Sequence, residues 1–287
     1  MRIFVWNTAL LLCLASLSTM AQELELPRPS PKARVMQRMG IADLEVVYSS
    51  PGVKDREIWG GLVPYGQVWR TGANAATQLH LSKSVVIAGE EVPAGRYALF
   101  TIPGQDTWTL ILNEKWEQWG AGNYDPKYDV LRTQIEPEEA ERFQERLLFY
   151  FDLENNQRGR LILHWAELSL PIEVEAPVVE QSLASIEAAL NNNQNDWKML
   201  RDAADFCLDY EVRPKQAITW INRSIRKEKD FSNMWVKAQL LAQQGDYDKA
   251  VKWAEKARPM LEEKSEGYRN FYDGVVTAEL RKWKVKQ

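Results

Sequence analysis

The sequence predicts a mixed, two-domain protein: an antiparallel β-sandwich followed by a small all-α domain of helical repeats. Three observations carry this. From Arg34 to about Val174 the chain is made of short runs rich in β-branched, leucine and aromatic residues, punctuated by Gly and Pro. Such regularly spaced strands with turn signals indicate a sandwich or barrel. After Pro171 and Pro177 the apolar spacing changes to the helical period, and a block then recurs 33 positions later.

Residues 1–21 have the three parts of an export signal. Arg2 stands near the amino end, an apolar run extends from Ala9 to Leu17, and Thr19-Met20-Ala21 offers a small-residue cleavage site before Gln22. The run is shorter than the roughly 20 residues needed to span a bilayer, so a soluble exported protein, periplasmic or extracellular, is expected. Cys13 lies inside the apolar run after Leu12, which argues against a lipid-anchored cysteine. Removal of the signal leaves Cys207 alone, so no internal disulfide is expected. The helical spacing of Cys207 with Trp197, Leu200 and Ala204 marks it as a packing residue.

Among the strands, Leu44–Tyr48, Thr77–Leu81, Arg96–Ile102, Trp108–Leu112 and Arg160–Trp165 are the clearest. No long helical pattern separates them, which argues against a parallel α/β sheet. Pro137-Glu138-Glu139 is expected to open a short helix, since proline fits the first helical position and acids suit the amino end. In the last third, Leu208, Ala217, Trp220 and Ser224 recur as Leu241, Ala250, Trp253 and Ala257. Together with Ala238, Gly245-Asp246-Tyr247 and Ala254, the second copy resembles the tetratricopeptide pattern. The first copy departs from it at Val212-Arg213-Pro214, and Tyr268 to Trp283 is expected to cap the array. The expected organisation is thus a signal over 1–21, a β-sandwich over 30–175, a connector over 176–182 and helical repeats over 183–287.

Five segments of the β half carry a family resemblance: Tyr48 to Lys54, Ile58 to Gly66, Val68 to Asn74, Pro93 to Gly104, and Gln118-Trp119-Gly120. In this order they resemble the secreted bacterial family called domain of unknown function 2911, over roughly residues 30–175. The resemblance implies a secreted β-rich domain, often followed by helical repeats, and supplies no activity.

Composition narrows the function. Once Cys13 leaves with the signal, Cys207 and 2 His are too few for a structural zinc site of the Cys/His type, and a net charge of −4 argues against nucleic acid as a partner. There is no nucleophile elbow, phosphate loop, dinucleotide fingerprint or zinc-protease run, so no cofactor is expected. The densest polar and aromatic group is Tyr65, Trp69, Arg70, Thr71 and Asn74. Its guanidinium fork, hydroxyl and amide suit a carboxylate, a sugar or a peptide end, and Gly72 permits close approach. The same residues also suit a structural loop in which Arg70 meets a buried carboxylate. A second group interleaves Trp116, Trp119 and Tyr124 with Glu114, Glu117, Asp125 and Asp129, a composition compatible with glycan binding or glycoside hydrolysis. His80 and His164 alternate with apolar neighbours and form a two-histidine metal site only if their strands adjoin. The leading expectation is a noncatalytic binding or scaffold module for a protein, peptide or glycan, with the helical repeats as a second contact surface. The alternative is a hydrolase of a saccharide or peptide using carboxylates near Trp116 and Trp119.

Overall fold

The computed structural model describes residues 26–193 and 196–287; the export signal expected at 1–21 lies outside the described residues. Ten strands form two antiparallel sheets: β1 Lys32–Met39, β2 Ala42–Ser49, β3 Thr77–Leu81, β4 Val85–Ile87, β5 Glu90–Val92, β6 Gly95–Ile102, β7 Trp108–Asn113, β8 Asp129–Ile135, β9 Glu138–Leu153 and β10 Arg158–Glu175. One sheet has the order β1-β2-β3-β6-β7-β8 and the other β5-β4-β10-β9. Alternation decides which side chains lie between them. Leu44, Val46, Leu79, Leu81, Leu99 and Leu110 meet Ile87, Leu161, Leu163, Ile172 and Val174, each at most 4% exposed. Full burial of such side chains stabilises by about 1.5–3 kcal/mol apiece. Ala88 and Gly89, both with positive φ, make the two-residue turn of the β4–β5 hairpin.

The segment opened by Pro137 is a strand, contrary to its helical signal. β9 pairs with β10 from Glu138 opposite Ser169 to Leu153 opposite Gly159, with register shifts around Ala166, whose φ is 53°. Leu147 and Phe149, each 1% exposed, reach the inter-sheet core from β9. That burial and the long ladder outweigh a local proline-and-glutamate cue.

Six α-helices follow: α1 Val178–Asn192, α2 Trp197–Asp209, α3 Pro214–Lys227, α4 Phe231–Gln243, α5 Tyr247–Ala257 and α6 Glu266–Val285. The connector expected over 176–182 is much shorter, because only Ala176 and Pro177 separate β10 from α1. Val178 is a member of the sandwich core at 4% exposure, so the helix must begin where that side chain docks. Phe206 of α2 and Tyr210 just after it, stacked with centroids 4.5 Å apart, pack against the sandwich core, and Phe206 packs against the helical core as well. Gln181 Nε2 donates to the Ser84 carbonyl at 2.5 Å across the same junction.

The 33-residue period is visible as two successive helix pairs. Ala217 and Ala250 are both fully buried, as are Ser224 and Ala257. Gly245 takes the left-handed turn between α4 and α5 with φ 82°, whereas the α2–α3 turn places Glu211 and Arg213 in that region. Cys207 is buried in the helical core, and burial raises its thiol pKa. Among the described residues no helix is long and apolar enough to cross a membrane.

Candidate functional site

The loop from Tyr65 to Thr77 is held as an extra strand against the end of β6. Gly66 N–H donates to the Pro103 carbonyl at 2.8 Å, and Trp69 and Thr101 exchange backbone hydrogen bonds at 2.7 and 3.0 Å. This pairing turns Trp69 inward, where its ring lies 5.8 Å from Trp59, 6.4 Å from Trp108 and 6.0 Å from Trp165. Val68 falls on the opposite face, beside Phe100, Ile102 and Ile111 in a cluster outside the six-stranded sheet. Trp69 Nε1 donates to the Gly72 carbonyl at 3.2 Å, so this indole is a core residue with its polar atom satisfied.

Thr71 and Asn74 are consumed by the loop as well. Thr71 is fully buried with φ 52°; its hydroxyl donates to the Trp69 carbonyl at 3.3 Å and lies 3.2 Å from Thr101 Oγ1. Its carbonyl accepts from Thr77 Oγ1 at 2.7 Å. Asn74, with φ 59°, donates from Nδ2 to the Ser30 carbonyl and to Ser49 Oγ, both at 3.2 Å. It therefore clasps the segment that precedes β1. The close approach that Gly72 permits is made by its own chain: a Cβ there would stand 3.0 Å from Thr77 Oγ1 and 3.2 Å from the Ser49 carbonyl.

Arg70 is different. Its guanidinium is half-buried and Nε is fully buried, yet no described residue offers that side chain a hydrogen bond or an ion pair. The carboxylate expected beside it in a structural loop is absent among the described residues. Burial, with no opposing charge, lowers its pKa. Trp119 is tied to the same loop by a bridge to Ala75, and Gly120 N–H donates to the Asn74 carbonyl at 3.1 Å. Its ring is 64% exposed, with the Arg28 guanidinium 5.3 Å from the ring centroid. Tyr65 is also exposed, its ring lying over Gly60.

The acidic group resolves into paired and open members. Asp129 accepts from Asn113 Nδ2 at 2.8 Å and from the Tyr124 hydroxyl at 2.6 Å, with Arg132 Nη1 at 3.5 Å. Burial, followed by Asp129, pushes the Tyr124 hydroxyl up to about 12. Asp125 caps the one-turn helix Pro126–Tyr128 and pairs with Lys127 at 2.9 Å, which lowers its pKa. Glu114, Glu117 and Asp125 line an open depression of about 630 Å³ with Lys115, Trp116, Gln118 and Asn123. Tyr65, Arg70, Trp119 and Tyr124 do not line it. The Arg96 guanidinium sits 5.2 Å from the Trp116 ring.

His80 and His164 belong to β3 and β10, in different sheets, and both alternate with inward residues, so they face away from the core on opposite sides of the sandwich. That separation precludes a shared metal. Among the described residues no three His, Cys, Asp or Glu side chains are grouped to hold a metal ion. Arg28, outside both residue groups that stand out in the sequence, lies over Trp119 two positions before Ser30, whose carbonyl Asn74 holds.

A family model described as "Protein of unknown function (DUF2911)" matches residues 30–174, the sandwich. No curated protein and no solved structure matches the chain.

Proposed function

The chain belongs to the DUF2911 family of proteins of unknown function, and from its own geometry we propose that it is a noncatalytic, exported binding module that grips an anionic group of a protein, peptide or glycan on Arg70. The supporting observation is the unpartnered, half-buried guanidinium. Taking a cation partly out of water without a counter-charge is unfavourable, and a ligand carboxylate supplies both the charge and a planar acceptor matched to the fork. Trp69, Thr71 and Asn74 fix the loop, while exposed Tyr65 and Trp119 provide apolar faces for the remainder of the ligand. The helix pairs, whose 33-residue period resembles the tetratricopeptide pattern, are assigned the role of a second, scaffold-like surface in this reading. A binding role is favoured over hydrolysis because Asp125 and Asp129 are engaged by Lys127, Asn113, Tyr124 and Arg132, and the open Glu114 and Glu117 line a depression that Arg70 and Trp119 do not share.

The test is a titration of fluorescent short peptides and uronic-acid oligosaccharides, each with its carboxyl free or blocked as amide or ester, against wild type and Arg70→Gln. A hydrogen bond to a charged group is worth about 1.5–3 kcal/mol, or roughly ten- to hundred-fold in affinity. Free carboxyls are expected to bind and to lose that factor in the variant. Equal affinity for free and blocked probes, or unchanged binding by the variant, overturns the assignment.

A further inference from the structure

The helical half carries a second cationic site. Lys237 on α4 and Lys256 on α5 both approach the indole of Trp253, with Nζ atoms 3.7 and 5.4 Å from a ring centroid. Lys252, one turn before Lys256 on the same helix, is exposed. Neither Lys237 nor Lys256 has a carboxylate partner among the described residues, whereas neighbouring Lys249 and Lys284 are paired with Asp246 and Glu255, and Lys252 adds its charge to the field on Asp246. Lys237 is partly buried, and its pKa is lowered first by that burial and then by the positive charge of Lys256. Two like charges are thus held against one indole, neither of them paired with a carboxylate among the described residues.

We propose that Lys237, Trp253 and Lys256 form a docking site for an acidic protein segment, with a Glu or Asp carboxylate between the two ammonium groups. The ring suits the methylene stem of such a side chain, and the ammonium groups suit its head. Residues 178–287 hold 19 Lys and Arg against 17 Asp and Glu, while the whole chain has a net charge of −4. A pair of unpaired lysines on a nearly neutral helical half of an acidic protein favours a short carboxylate-bearing segment over an extended polyanion, which the rest of the chain repels. This site lies apart from Arg70 in the sequence and stands independently of it.

Fluorescein-labelled hexaglutamate is the probe, titrated into the full chain at low ionic strength and followed by anisotropy. Lys237→Met with Lys256→Met retains the packing stems and removes both charges; Lys237→Arg with Lys256→Arg retains the charges. Wild type is expected to bind saturably, and in the Arg70→Gln background, which removes the carboxylate site proposed in the sandwich, binding is expected to persist, to weaken at least about tenfold in the Met pair and to survive in the Arg pair. No binding by wild type, equal binding by the Met pair, or loss in the folded Arg pair equal to that in the Met pair overturns the proposal. So does stronger retention by anionic phosphatidylglycerol vesicles or an oligonucleotide than by the peptide.

Discussion

The indole of Trp59 stands edge-on to that of Trp108, with ring centroids 4.8 Å apart and planes at 65°. Trp69 and Trp165 complete the group, and Trp59 is edge-on to both. Nε1 of Trp59, Trp108 and Trp165 is buried without a conventional acceptor among the described residues, so what holds these rings is packing and edge-to-face attraction. Trp59→Ala is expected to cost about 3–5 kcal/mol by urea unfolding, through lost burial and a cavity. Trp59→Phe keeps an aromatic edge and drops an unpartnered donor, so its cost is expected to be less than half of that. An alanine variant as stable as wild type contradicts a tryptophan-centred core.

The two halves meet at Gly40. With φ 55°, it turns the chain between β1 and β2, and a Cβ there would lie 2.2 Å from Val178 Cγ2, at the first residue of α1. Gly40→Ala is therefore expected to destabilise by about 2–4 kcal/mol, combining overpacking with left-handed strain. Adding Val178→Ala relieves the clash and is expected to recover part of the loss. A double variant no more stable than Gly40→Ala indicates that strain alone is responsible.

Asp205 on α2 has its pKa raised to about 6, first by burial and then by Asp209. Between its ordinary value of 3.8 and about 6 the folded state holds the proton more tightly than the unfolded chain. Stability contributed by this group therefore falls as pH rises through that window and stays lower above it. Asp205→Asn is expected to be more stable than wild type at neutral pH, with the difference shrinking toward pH 4 in chemical-denaturation series. A gap that is constant with pH, or that widens on acidification, contradicts the assignment.

The strands most legible in the sequence are those with one face in the core. Leu44, Val46 and Tyr48, and Leu79 with Leu81, alternate in sequence as they do in burial. β9 is concealed because it is an edge strand rich in charge, and its conformation depends on pairing with β10 across a bulge rather than on local preference. The loop at Trp69 to Asn74 stands out by composition. Whether each side chain points inward depends on Trp69 pairing with Thr101, a contact between positions far apart in the chain. Arg70 is separable from Thr71 and Asn74 only once the hydrogen bonds are seen. The lysines around Trp253 had a local signal, Lys252 and Lys256 one turn apart beside an aromatic residue, but repeat periodicity makes that tryptophan look purely structural.

The most direct test of the central claim is the stability of the ligand-free protein carrying Arg70→Met, measured by urea unfolding beside wild type. A guanidinium kept for a ligand contributes little to the free fold, and its removal relieves uncompensated desolvation. The predicted result is stability unchanged or raised by up to about 1 kcal/mol, accompanied by loss of carboxylate binding. A loss of about 2 kcal/mol or more shows that Arg70 holds the loop itself and contradicts the account.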